Sequence, residues 1–205
     1  MDFTRQGGRR RAAPILPGVL GTLRELDTRL LRWMRTRGHP PEAERAMRLL
    51  GAAAEWGALW GAIGLAAAAI DGERRRRWLR AAAVGPASIG ANYLVKVAVR
   101  RPRPDLGRRL APLAGAPSAL SFPSAHATSS LAAATAMGRV APAARLPLYS
   151  LAALVCVTRP YLGMHYPSDV LGGVALGLVL GWAVPGLDPP DAEERLIDLV
   201  AAGRP

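Results

Sequence analysis

Between Leu49 and Ile70 the chain carries a single charge, Glu55, and between Ala81 and Val95 it carries none. From Leu110 to Gly138 only His126 can ionise, Leu146 to Thr158 is again uncharged, and after Arg159 the one acid before Asp188 is Asp169. Soluble helices keep a polar face, so stretch after stretch without one points to a different solvent. A helix rises about 1.5 Å per residue, and roughly 20 apolar residues cross a hydrocarbon core of about 30 Å. Five spans fit, at about 49–70, 81–99, 123–140, 146–164 and 168–187, the third and fourth short and rich in alanine. The predicted fold class is all-α: an integral-membrane helical bundle of five to six spanning helices, multi-pass in the cell (plasma) membrane.

Small residues recur at four-residue spacing inside these segments: Gly57 and Gly61, then Ser130, Ala134 and Gly138, then Gly173, Gly177 and Gly181. In lipid, where leucine gains little by packing on leucine, such ridges let helix backbones approach closely. Upstream, Val19, Leu20, Leu23, Leu26, Leu30, Leu31 and Met34 repeat at helical spacing, with Arg24, Glu25, Thr28, Arg32 and Arg35 on the other side. That is the pattern of an amphipathic helix lying in a membrane interface, and whether residues 17–37 lie flat or form the sixth span stays open. Pro14 and Pro17 interrupt the apolar stretch that a signal peptide would need. The expected organisation is a basic N-terminal region with its interfacial helix (1–45), a membrane domain (46–187) and a short surface tail (188–205).

The 205 residues include 27 basic side chains, 26 of them arginine and one Lys96, against 15 acids, for a net charge of +12. Half the residues are hydrophobic, too many for a disordered basic tail, and a lone Cys156 supports no disulfide scaffold. The clusters Arg74 to Arg77 and Arg100 to Arg109 would suggest nucleic acid in a soluble protein. Between apolar spans they are accounted for by the positive-inside rule and anionic headgroups, so membrane lipids, and no nucleic acid, are the expected partners. On the five-span count the two clusters fall on opposite faces, and the second needs a further reason.

Three segments supply it: Lys96 through Pro104, Phe122-Pro123-Ser124-Ala125-His126, and Arg159 through Asp169. They stand at the end of span two, the start of three, the end of four and the start of five, all on one side of the membrane. Converging Lys96, Arg103 and Arg159 with few acids nearby make a site for an oxyanion such as phosphate. Arginine grips two oxygens with a planar fork, whereas lysine is a compact charge. Ser124 and the backbone N–H groups entering span three, at Ala125, add donors at a helix N-terminus. His165 and Asp169 are four apart, so the carboxylate can accept Nδ1–H and leave the Nε2 lone pair for phosphorus. His126 is then the general acid for a departing alcohol.

The pattern Lys, six residues, Arg-Pro; then Pro-Ser-x-His; then Arg, five residues, His, three residues, Asp resembles the three-part signature of the type 2 phosphatidic acid phosphatase superfamily, over about 96–169. The resemblance implies a phosphohistidine mechanism with no metal and no cofactor, His165 as nucleophile, Asp169 as its orienting partner and His126 as acid. It implies phosphate binding by Lys96, Arg103, Ser124, Ala125 and Arg159. Ala125 stands where the family has Gly, and Thr158 where Ser is common; a backbone donor survives the first change unless φ must be positive. The run Leu120 to Ser129 looks more particularly like actinobacterial members that dephosphorylate decaprenylphosphoryl-5-phosphoribose. A generic undecaprenyl pyrophosphate, phosphatidate or phosphatidylglycerophosphate phosphatase is the alternative. So, in a different class, is a non-enzymatic basic membrane protein.

Other polar residues are expected to be less specific. His39 reads as a solvated loop residue, Asp105 as a loop salt-bridge partner and Cys156 as packing. Glu55, on the motif side of the first span, is an intramembrane acid that could pair with a site arginine or help bind substrate. Tyr161 and Tyr166 read as interfacial anchors, with Tyr166 the better placed to line the site.

Overall fold

The computed structural model describes residues 15–188, with side chains from residue 21 onward. The expected surface helix of the tail falls outside the described residues. The helices are α1 (Ile15–Thr36), α2 (Pro41–Ala53), α3 (Ala58–Ile70), α4 (Arg75–Val99), α5 (Ala125–Val140), α6 (Arg145–Tyr161) and α7 (Pro167–Trp182). Among the described residues there is no strand, only an isolated bridge between Pro102 and Leu120.

The central helix is α5, every residue of which from His126 to Val140 is buried. Its Ala, Ser, Thr and Gly side chains let α4, α6 and α7 pack around it. Against α7 the approach is as close as backbones allow. A Cβ on Gly173, Gly177 or Gly181 would lie 2.6, 2.5 or 2.6 Å from the carbonyl oxygens of Ser124, Thr128 and Ala132. That ridge works as expected from the sequence, and Gly57 packs against Gly85 and Pro86 of α4, but Gly61 meets nothing within 4 Å. At the end of the bundle away from Lys96, Arg139 ties α5 to the end of α7 by an ion pair with Asp188 (2.5 Å) and by bonds to the carbonyls of Gly181, Trp182 and Val184. The Arg139 guanidinium holds the Asp188 carboxyl below its ordinary value.

The first expected span is not one helix. The α2 helix stops at Ala53, a 3₁₀ turn covers Glu55–Gly57, and α3 leaves at 51° to α2. Trp56 and Gly57 adopt left-handed backbone (φ 54° and 76°), and a Cβ on Gly57 would fall 2.9 Å from the nitrogen of Pro86. The break follows from close approach to α4 at a proline that lacks an N–H. Among the described residues α4, with 25 residues, is the one unbroken helix long and apolar enough to cross a membrane, and the bent α2–α3 pair qualifies jointly. The α5, α6 and α7 helices, of 16, 17 and 16 residues, extend about 24–26 Å at 1.5 Å per residue.

Helix α1 forms where the apolar periodicity puts it, but its packed side is not the leucine stripe. Leu23, Leu26, Leu30 and Trp33 are 47–56% exposed, while Asp27, Leu31 and Arg35 are buried.

Candidate active site

The ends of four helices meet at one end of the bundle. Lys96 comes from the last turn of α4, Ala125 and His126 from the first turn of α5, Arg159 from the last turn of α6, and Asp169 from the first turn of α7. Arg103 and His165 stand on the loops that follow α4 and α6. Lys96, Arg103, Ala125, His126, Arg159 and His165 line one pocket, which Glu55 also enters from the break between α2 and α3.

The cations are held before any ligand arrives. Lys96 Nζ donates to the carbonyls of Leu120 (3.1 Å) and Ser121 (3.4 Å) and is 5% exposed. Arg103 donates through Nε to Ser118 O and through Nη1 to Met164 O, each at 2.7 Å. Burial pulls Arg103 below the usual arginine value, with Asp169 opposing. Arg159 is 4% exposed, and its buried Nε has no partner, which leaves a donor free beside the pocket. Asn92 fixes the entrance to α5 by donating to Pro123 O (3.2 Å) and Thr128 Oγ1 (2.9 Å). The N–H groups of a helix's first turn have no intrahelical acceptor, and Ala125 and His126, in that turn of α5, line the same pocket as Lys96, Arg103 and Arg159.

Two expected residues stand behind the pocket. Ser124 is fully buried as the N-cap of α5, its Oγ accepting from Ala127 N at 3.5 Å and its N–H donating to Asp169 O at 2.9 Å. The hydroxyl thus caps the helix instead of lining the pocket. Asp169 is also fully buried; Oδ1 accepts from Arg101 Nη1 and Oδ2 from the Tyr166 N–H, both at 2.8 Å. The expected His165 to Asp169 hydrogen bond is replaced by a looser contact. Nδ1 lies 3.7 Å from Oδ2 and has no hydrogen-bond partner.

The two histidines differ in tautomer. His165 Nε2 is 3.1 Å from Arg103 Nη1, and a guanidinium only donates, so Nε2 accepts and its lone pair faces the pocket. Burial pushes the His165 imidazole down to about 4, Asp169 opposing and Arg103 and Arg159 adding, which keeps that lone pair free at neutral pH. His126 Nε2 faces two acceptors, Gly51 O at 3.0 Å and Glu55 Oε2 at 3.5 Å, against one donor, Arg159 Nη1, at 3.4 Å; the shortest contact is to the carbonyl, so there the nitrogen is assigned the proton. Glu55 therefore pairs with a histidine, where the sequence suggested an arginine. One site holds a bare imidazole nitrogen, a protonated one, and three cations.

Residues that the motifs do not single out complete it. Arg101 joins Asp169 to Asp27 of α1 (2.6 Å), and Arg35 of α1 donates to Tyr161 O and Ala111 O. Asp27 sits four residues before Leu31, on a stripe where a carboxylate is out of place, and that was the available signal. His39 is not a solvated residue: its ring stacks on Tyr161 at 4.1 Å and bonds Met34 O and Glu44. Tyr161 is accordingly buried, its hydroxyl donating to Gly38 O, and Tyr166 lies under Arg101 (4.2 Å), outside the pocket. Asp105 accepts from Gly107 N in a turn, and Cys156 packs in the core.

Residues 78–189, more than half of the chain, match the sequence model of the PAP2 superfamily. Over 125 residues the chain is 48% identical to decaprenylphosphoryl-5-phosphoribose phosphatase of Mycobacterium tuberculosis, covering 60% of this chain and 65% of that one. Over 110 residues it is 32% identical to undecaprenyl-diphosphatase BcrC of Bacillus subtilis, covering 54% and 57%. The matched part is thus less than two thirds of either relative's length. In fold it is similar to a transmembrane PAP2 type phosphatidylglycerolphosphate phosphatase from Bacillus subtilis, with a TM-score of 0.64, 23% identity and coverage of 85% and 88%. All eight residues that the motifs assign, from Lys96 to Asp169, fall inside the matched segment, and the chain belongs to the PAP2 superfamily.

Proposed function

We propose that the protein is a multi-pass plasma-membrane lipid phosphatase that hydrolyses the phosphomonoester of a lipid carrier through a phosphohistidine, converting decaprenylphosphoryl-5-phosphoribose to decaprenylphosphoryl ribose. The observation that carries the reading is the pair of histidines in opposite tautomers sharing one pocket with Lys96, Arg103 and Arg159.

In this mechanism the three cations and the N-terminal amides of α5 hold the phosphoryl oxygens, countering charge that builds in the transition state. The Nε2 lone pair of His165 attacks phosphorus, the bond from phosphorus to the ester oxygen breaks, and His126, as the imidazolium, gives its Nε2 proton to that oxygen and is left neutral. Water then attacks the phosphohistidine while His126 takes a proton from it. The P–N bond breaks, its electron pair returns to His165, and inorganic phosphate leaves. The route uses no metal and no cofactor. In the same reading α1 lies in the interface, its exposed Leu23, Leu26, Leu30 and Trp33 facing lipid and its arginines facing headgroups. Residues 46–187 form the membrane domain that carries the site.

The ribose-bearing substrate is supported by the 48% identity to a phosphatase of that name. The 32% likeness to an undecaprenyl-diphosphatase favours a polyprenyl pyrophosphate as the second reading. The test is phosphate release by purified protein from decaprenylphosphoryl-5-phosphoribose, undecaprenyl pyrophosphate and phosphatidate, with and without EDTA. Fastest release from the first, retained in EDTA and abolished by His165→Ala, is expected. A basic scaffold would release none, and turnover unchanged in His165→Ala would sink the mechanism.

A further inference from the structure

The inner face of α1 is three residues, Asp27, Leu31 and Arg35, one turn apart and 8%, 0% and 7% exposed. Both polar members are spent on the segment that carries His165. Arg35 donates to the carbonyl of Tyr161 (3.3 Å), where α6 ends. Asp27 Oδ1 accepts the N–H of Ser168 (3.0 Å), where α7 begins, and Oδ2 accepts the hydroxyl of Ser168. His165 stands between these two fixings.

Asp27 also reaches the partner of the nucleophile. Its Oδ2 accepts from Arg101 Nη2 (2.6 Å), while Nη1 of the same guanidinium donates to Asp169 Oδ1 (2.8 Å) and to Ser168 Oγ (2.6 Å). The Tyr166 ring covers this guanidinium at 4.2 Å. One fork thus spans two buried carboxylates, and the second of them faces His165 Nδ1. No atom of Asp27 lines the pocket. With Asp27 neutral, one arm of Arg101 loses its anchor, and the Asp169 carboxylate keeps the Tyr166 N–H but loses the firm seat of its second donor.

We propose that Asp27 is a positioning residue for the nucleophile, acting through Arg101 on Asp169 and through Ser168 on the first turn of α7. The proposal rests on the reading of His165 as nucleophile. Displacements of about 1 Å cost reactions on the order of a hundredfold, so a carboxylate remote from phosphate can govern turnover.

The test uses the full chain in lipid nanodiscs. Asp27→Asn keeps an oxygen for the Ser168 N–H and places an amide where Arg101 needs a charge. It should lower kcat at least tenfold with KM within twofold, and Asp27→Glu should recover part of the loss. Wild-type kcat in Asp27→Asn, or a loss confined to KM, overturns the proposal. If Asp27→Asn does not fold, Arg101→Lys, which keeps the charge and loses the fork, carries the same expectation and the same refutation. A second readout needs no substrate. The chain has three histidines, so in protein with ¹⁵N-labelled histidine the His165 ring signals are identified by their loss in His165→Gln. Asp27→Asn, or Arg101→Lys in its place, should shift them and leave those of His126 in place; unmoved His165 signals overturn the proposal. Wild-type protein inert on every lipid phosphate would instead refute the phosphatase reading, and the nitrogen signals would still decide the positioning role.

Discussion

Arg103 Nη1 sits 3.1 Å from Nε2 of His165, a donor-only group against the one ring nitrogen that faces the pocket. A guanidinium only donates, so this contact leaves Nε2 as the acceptor. In the proposed mechanism a phosphate that takes the guanidinium for itself uncovers the lone pair, and His165 has no proton to lose from Nε2 before it attacks.

A pH profile follows. Burial pushes His165 from the ordinary imidazole value of 6.5 down to about 4, so the reactive neutral form persists as pH falls from 7 to 5. An ordinary imidazole would be about 3% neutral at pH 5. With substrate titration measured separately, kcat/KM should hold to within about twofold between pH 7 and 5, with the limb assigned to His165 near pH 4. A limb near 6.5 would count against the assignment. Stability carries the same sign: between about 4 and 6.5 the unfolded chain binds a proton that the folded one refuses, so this contribution is present above 6.5 and is lost as pH falls toward 4.

Lys96 is the one lysine in a chain with 26 arginines, and its ammonium is held at 3.1 and 3.4 Å by two carbonyls in a space that leaves it 5% exposed. A planar fork does not fit that seat. Lys96→Arg keeps the charge and should still lower kcat/KM at least tenfold, about 1.4 kcal/mol; full activity would make the lysine incidental.

Gly177→Ala puts a methyl 2.5 Å from Thr128 O and 2.8 Å from Leu131 Cβ. Overpacking of this kind costs about 1–3 kcal/mol, and because α5 carries His126 and α7 carries Asp169, activity should fall along with the melting temperature. Gly61→Ala, inside α3 and meeting nothing within 4 Å, is the matched control: it should leave activity unchanged and should not lower the melting temperature.

The inner face of α1 makes its polar contacts at the site end of the bundle, with Arg101, Ala111, Tyr161 and Ser168. A helix so placed lies across that end, which gathers twelve arginines from Arg24–Arg48 and Arg100–Arg109 against seven from Arg74–Arg80, Arg139 and Arg145. If the bundle spans the membrane as proposed, the positive-inside rule predicts that the site end is cytoplasmic. In a Cys156→Ser background, Arg108→Cys should react with an impermeant maleimide only after permeabilisation; labelling in intact cells reverses the orientation.

The pocket was legible because its members lie in short motifs at helix ends, where spacing alone fixes which side of the bundle they share. The all-helical architecture was legible in the missing charges, and the α5–α7 contact in Gly173, Gly177 and Gly181. The break at Trp56 and Gly57 was not, since it stands where Gly57 closes on Pro86 of another helix, and such an approach leaves no mark in local hydropathy. Asp27 and Arg101 were hidden for a related reason. Their meaning lies in pairs 74 and 68 residues apart, and no periodicity connects them. Ser124 was placed by its motif, but a hydroxyl at a helix start can serve an outside anion or its own backbone, and its capping contact with Ala127 N, at 3.5 Å, was not legible from the spacing.

The segment from Tyr161 to Ser168 is fastened at both ends to a single rod, α1. Two fastenings to one rod set a direction where a single one would leave a hinge, so the loop that carries His165 takes its bearing from α1 as well as from the two helices it joins.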